Sequence, residues 1–123
     1  MSKTLLVVDD SFSMRQLSSF TLKNAGYDVI EAVNGKDALE KLSSTKVDMV
    51  ITDLTMPEMD GIEFIKQFRT LSRFKFTPIV MLTTDSNEAR KQEGRQAGVS
   101  GWIVKPFKPV QFVEAVRKML HQL

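Results

Sequence analysis

Leu5-Leu6-Val7-Val8-Asp9-Asp10 decides the fold: four apolar residues in an unbroken run, then two carboxylates. A continuous run of that length suits a strand covered on both faces, as in a parallel sheet, better than a half-exposed strand with alternating residues. Four more runs follow, at Val29–Ala32, Met49–Ile51, Ile79–Leu82 and Trp102–Val104, the first of these being the weakest. Amphipathic stretches separate them. Five βα units in 123 residues imply one doubly wound α/β sheet. Right-handed crossovers leave few topologies, and 2-1-3-4-5 is the order expected for five strands.

The stretches between the runs have helical spacing and recognisable ends. Met14, Leu17 and Thr21 are expected to share the buried face of the first helix, which Gly26 stops near Ala25. Asn34 is placed to cap a second helix that uses Ala38, Leu39 and Leu42. Asp60, with Glu63 three residues on, makes an acidic cap for a third that buries Ile62, Ile65 and Phe68. The last helix follows Pro109 and sets Val113, Val116, Leu120 and Leu123 at helical spacing. The fourth, SNEARKQEGRQA at 86–97, offers only two alanines as apolar residues. It also carries Gly94 inside, at a cost of about 1 kcal/mol relative to alanine. A loosely held, mobile helix is expected there.

No repeat, linker or low-complexity tract interrupts the chain, which reads as one domain over 1–123 with no output domain attached. At 42% hydrophobic and 26% charged it has the balance of an ordinary globular protein. The absence of cysteine excludes disulfides, thiolate metal sites and a cysteine nucleophile. The one histidine, His121, is expected to be exposed on the last helical turn. A histidine-rich metal centre is thereby excluded, and a Ser-His-Asp triad lacks a well-placed base. The apolar run at 5–8 is too short for a signal peptide or a membrane span, so a cytoplasmic protein is expected. Charge is unevenly divided, with a net −5 over residues 1–63 and +7 over 64–123. The basic half reads as solvated helix faces or as a docking surface for an acidic partner. No recognition helix or basic-aromatic interleaving points to nucleic acid.

Chemistry gathers where the strands end. Asp9-Asp10 follow the first strand, Asp53 the third, Thr83-Thr84 the fourth and Lys105-Pro106 the fifth. Doubly wound sheets bind ligands at that edge, where the winding direction reverses. With strands one and three adjacent, three carboxylates converge, and they repel one another unless a cation sits among them. An oxygen-only cluster favours a hard ion, Mg²⁺ before Zn²⁺. Mg²⁺ and the Lys105 ammonium would neutralise a transferring phosphoryl group, the Thr83 hydroxyl would bond one of its oxygens, and a carboxylate would accept it. Singly, each residue has an ordinary reading as a cap, a turn residue or a solvated side chain. Their shared edge is what points to phosphoryl chemistry.

VVDDS at 7–11, ITDLTMPEMDG at 51–61, MLTT at 81–84 and GWIVKPF at 101–107 resemble the receiver domain of bacterial response regulators, over about Lys3 to Leu120. The compact stand-alone form, and SMRQL following DDSF, are most similar to the chemotaxis (CheY) type. The resemblance implies a flavodoxin-like (βα)5 sandwich. That family is itself a standing example of the 2-1-3-4-5 sheet, so the strand order is not an independent derivation.

The resemblance also implies roles. Asp53 would be the phosphoacceptor, taking the group from a phosphohistidine on a partner histidine kinase. Asp10, Asp53 and the backbone carbonyl of Thr55 would bind Mg²⁺ directly, and Asp9 partly through water. Thr83 would hydrogen-bond the aspartyl phosphate, Lys105 would pair with it, and the Lys105-Pro106 bond is expected to be cis. A phosphoryl group would draw in Thr83 and swing an aromatic residue from exposed to buried. That aromatic, three residues before the lysine, is here Trp102, where Tyr or Phe is more usual. The mobile fourth helix is the element such a switch would bias. Thr55 and Asp85 sit where the family varies its dephosphorylation rate, while Met56, Met59 and Met81 read as gap-filling apolar residues.

The implied function is a phosphorylation-dependent signalling switch, a monomer with self-directed phosphotransfer and autodephosphorylation only. Its output would pass through a separate protein, with a flagellar motor switch protein, a phosphate-sink role and a relay as the options. The face of helix four, strand five and helix five, with Trp102, Arg90, Lys91, Arg95 and Lys118, is expected to carry the partner site. A Mg-dependent phosphatase with an Asp nucleophile competes with this reading, but needs an acid/base Asp two residues beyond, where Thr55 stands. A flavin carrier of the same topology needs a Ser/Thr/Gly phosphate loop after strand one, where Asp9 and Asp10 would repel the FMN phosphate. A non-phosphorylated pseudo-receiver usually lacks one of the five polar residues Asp9, Asp10, Asp53, Thr83 and Lys105, and all are present.

Overall fold

The computed structural model describes residues 3–121. Strands β1 (Thr4–Val8), β2 (Asp28–Ala32), β3 (Met49–Thr52), β4 (Ile79–Thr83) and β5 (Gly101–Val104) alternate with five helices. These are α1 (Phe12–Asn24), α2 (Gly35–Leu42), α3 (Gly61–Phe68), α4 (Glu88–Ala97) and α5 (Pro109–Leu120), with a short 3-10 turn at Ser72–Phe74 leading into β4. The sheet is parallel throughout, in the order β2-β1-β3-β4-β5.

Alternation along the strands divides the core in two. Leu5 and Val7 pack with Leu22 of α1 and with Phe112, Val116 and Leu120 of α5. Leu6 and Val8 face the other way, into a cluster with Ala38 and Leu42 of α2 and Ile62, Phe64, Ile65 and Phe68 of α3. Each of the larger side chains contributes roughly 1.5–3 kcal/mol on burial. Both faces of β1, β3 and β4 are inside, which is why their sequences are continuous apolar runs. β2 and β5, at the two edges, are only part-buried, and the β2 run is accordingly the weakest. Met56 and Met81 are buried and Met59 packs against the same cluster, filling gaps as expected.

Asn34 and Asp60 cap α2 and α3 as predicted, accepting the amides of Asp37 and Glu63 at 2.8 Å each. The buried face of α1 matches the expected one only at Thr21. It consists of Ser18, Ser19, Thr21 and Leu22, while Met14 is half-buried and Leu17 is 46% exposed. Small serines let the helix lie close to the sheet, and the larger Leu17 and Phe20 turn instead to a groove shared with Val110 and Val113 of α5. In α5, Phe112 takes a core position and Val113 only a half-buried one, while Leu123 lies outside the described residues. His121 is exposed. No helix among the described residues is long and apolar enough to cross a membrane.

Candidate functional site

The register aligns Val8 with Thr52, so Asp9 and Asp53 emerge side by side at the carboxyl edge, and the Asp53 amide donates to the Val8 carbonyl at 2.9 Å. Asp9 is buried, and its Oδ1 accepts the Ser11 amide at 2.9 Å. Oδ1 of Asp53 accepts the Leu54 amide at 2.7 Å. Asp10 is exposed beside them, and one oxygen from each of the three lies within 4.8 Å of the others. This all-oxygen set fits a hard divalent ion such as Mg²⁺.

Lys105, just past β5, sends its Nζ to Oδ2 of Asp9 at 2.8 Å and to Oδ2 of Asp53 at 3.1 Å. Burial is the largest single influence on this ammonium and disfavours it. Asp9 and Asp53 together outweigh burial and raise its pKa above the ordinary 10.5, so it is charged at neutral pH. The chain itself thus supplies one cation to the acidic cluster, and Asp10 takes no part in that pairing.

Two residues that spacing did not single out shape this edge. Nη1 of Arg15 donates to the Asp9 carbonyl at 2.9 Å and its Nε pairs with Glu31 at 3.1 Å, which fastens the first turn of α1 to the ends of β1 and β2. Gly61 opens α3 so close to the Asp53 carbonyl that a Cβ would collide with it, and its amide bonds the Leu54 carbonyl at 2.7 Å. In sequence Arg15 looks like one more charge on an amphipathic helix, and Gly61 like an ordinary first residue after a cap.

Thr83 ends β4 fully buried, its Oγ1 accepting the Asp85 amide at 3.3 Å and its carbonyl accepting the Lys105 amide at 2.8 Å. Trp102 lies beside Met81 on β5, half-buried against the α2–α3 cluster. Its indole N–H donates to the Asp85 carbonyl at 2.8 Å. The Asp85 backbone therefore touches both residues. The Lys105-Pro106 bond is cis, and Thr55 is exposed two residues beyond Asp53.

α4 buries only Gly94, as its composition suggests, yet both of its ends are tied. Nη2 of Arg90 pairs at 3.0 Å with Oδ2 of Asp60, the carboxylate that caps α3, and this contact foremost raises the guanidinium's pKa. At the other end Nη2 of Arg69 donates to the Gly98 carbonyl at 2.7 Å. Of the basic residues expected on this face, Arg90 also pairs with Glu93 at 3.1 Å and Lys91 approaches Glu88 at 3.9 Å, whereas Arg95 and Lys118 are exposed.

Residues 5–117 match the family model of the response regulator receiver domain. The chain belongs to that family. This receiver is 45% identical over 118 residues to chemotaxis protein CheY1 of Helicobacter pylori, covering 94% of this chain and 95% of the relative. It is 39% identical over 120 residues to chemotaxis protein CheY of Thermotoga maritima, covering 97% and 98%. The solved structure of Vibrio cholerae chemotaxis protein CheY4 superposes with a TM-score of 0.94 at 44% identity, over 97% of this chain and 99% of that one. The sandwich is the flavodoxin-like fold of that structure. A receiver is a signalling module of two-component systems, which implies a histidine kinase as partner. Receiver domains bind Mg²⁺ through an acidic pocket, and Asp9, Asp10 and Asp53 form such a cluster here.

Proposed function

We propose that this receiver is a phosphorylation-dependent switch in chemotaxis signalling, with Asp53 as the phosphoacceptor. The observation that carries the reading is the Lys105 ammonium held between Asp9 and Asp53 at the edge where three carboxylates meet. An Asp53 oxygen attacks the phosphorus of a phosphohistidine on a chemotaxis-type kinase. The P–N bond breaks, its electron pair leaves with the imidazole, and the ring nitrogen takes up a proton. The Leu54 amide fixes the carboxylate's orientation before the donor arrives. Lys105, charged at neutral pH, pairs with the phosphoryl oxygens.

Asp9, Asp10, Asp53 and the Thr55 carbonyl would hold Mg²⁺, which when bound neutralises phosphoryl charge. The Thr83 hydroxyl leaves the Asp85 amide for a phosphoryl oxygen. Because the Asp85 carbonyl also holds Trp102, that move reaches β5 and α4. Water attack on the acyl phosphate returns Asp53 to its carboxylate, the one hydrolysis the protein performs.

The receiver acts as a cytoplasmic monomer, and its output face is α4–β5–α5, offered to a flagellar motor switch protein. The relatives' names as chemotaxis proteins support that target. Intact mass after Mg²⁺ and acetyl phosphate tests the acceptor. One phosphoryl adduct is expected on the wild type and none on Asp53→Asn; an adduct that persists in the variant overturns the assignment.

A further inference from the structure

α4 carries a glycine in mid-helix, where alanine would be the better helix former. The reason lies across from it. A Cβ built on Gly94 would stand 3.0 Å from Cζ3 of Trp102, 3.5 Å from Cε3 of the same ring and 3.5 Å from Cγ2 of Val99. Carbon atoms sit comfortably at about 3.5–4.0 Å, so the outer ring of the indole occupies the space a methyl group would need.

We infer that Gly94 is a positioning residue, which opens a seat for an indole at position 102 against the face of α4. The helix has little freedom to yield instead. Its first half is held by the Arg90–Asp60 pair at 3.0 Å and its end by the Arg69 bond to the Gly98 carbonyl at 2.7 Å. The indole is likewise fixed on its far side, where its N–H reaches the Asp85 carbonyl at 2.8 Å. A methyl at 94 therefore presses the ring outward by a few tenths of an ångström and strains that bond. Residues 94 and 102 act as one unit, in which the larger aromatic is matched by the missing side chain.

The steric part stands on the contacts alone, and its consequence for signalling rests on the phosphoryl switch proposed above. With the seat narrowed, Trp102 is biased outward, and the surface of α4 and β5 presented to a partner responds less to the state of Thr83.

A double-mutant cycle tests the pairing without any phosphodonor, in wild type, Gly94→Ala, Trp102→Phe and the double variant. Phenylalanine lacks the outer ring that meets position 94. In the Trp102 background, Gly94→Ala is expected to shift the tryptophan emission to the red, increase its quenching by acrylamide and leave the urea midpoint no higher. In the Trp102→Phe background the same substitution is expected to raise the midpoint, because the helix-propensity gain is then unopposed. An equal rise in both backgrounds, with emission and quenching unchanged, overturns the inference. Acetyl phosphate is added afterwards: a wild-type emission that ignores it counts against the switch and leaves the seat standing.

Discussion

Nζ of Lys105 stands 3.1 Å from Oδ2 of Asp53, fifty-two positions earlier in the chain. The parallel register creates this meeting, since it delivers the ends of β1, β3 and β5 to one edge. The ammonium reduces the mutual repulsion of Asp9 and Asp53 while leaving Asp10 for another cation.

Lys105→Met keeps the length of the side chain and removes its charge. In chelator it is expected to cost about 2 kcal/mol, below the range for a fully buried pair because solvent adjoins the site. Millimolar Mg²⁺ is expected to shrink the loss, as the ion takes over part of the neutralisation. The lysine's pKa is raised on folding, so its contribution is complete below about 10.5 and disappears as pH rises through the higher folded value. Urea unfolding of both proteins at pH 7 and above pH 10.5 checks the magnitude and the sign.

Asp10→Asn is expected to act in opposite directions on stability and on function. It removes one of three close carboxylates, the one that Lys105 does not reach. Without divalent ions the variant should be about 0.5–1 kcal/mol more stable than wild type. It should also lose the saturable Mg²⁺ response of the single tryptophan, Trp102. Paired unfolding curves and Mg²⁺ titrations read both effects.

The strand ends were legible because the sheet is simple. Four of the five runs, those of β1, β3, β4 and β5, stop at a polar residue, and few topologies bring those stops together. The edge of α4 was not legible in the same way. Its attachments are a guanidinium on a cap, a guanidinium on a carbonyl and a ring over a glycine, none of which carries a hydropathy signal. α1 misled for a related reason. Periodicity favoured Leu17 for the core, whereas close approach to the sheet favours Ser18 and Ser19. The bridge from Thr83 to Trp102 runs through the backbone of Asp85, which any residue but proline would provide.

Ser18 Oγ is buried without a hydrogen-bond partner among the described residues. Ser18→Ala removes that uncompensated hydroxyl and improves helix propensity, and a gain of about 1 kcal/mol is expected. A thermal midpoint raised by roughly 3–5 °C in a calorimetric scan is the corresponding readout.

Asp37 anchors the start of α2, its Oδ2 accepting the Val33 amide at 2.9 Å and Lys41 Nζ at 3.2 Å. Burial is the largest influence and raises its pKa, but the Val33 amide, Lys41 and Arg15 together lower it below 3.8. The stabilisation is therefore present above pH 3.8 and fades as pH falls through the lower folded value. Asp37→Asn should be less stable than wild type at pH 6, with the gap closing as pH falls below 3.8. Midpoints measured across that range test it.

A phosphoryl group on Asp53 is expected to be felt at β5, where Trp102 reports on it. Emission would be followed through a Mg²⁺ titration and then on adding acetyl phosphate, in wild type and in Asp53→Asn. The expected result is a saturable Mg²⁺ response in the wild type, followed by a donor-dependent change that the variant lacks. A wild-type emission indifferent to saturating Mg²⁺ and donor, or the same donor response in Asp53→Asn, would rule out this coupling between Asp53 and β5.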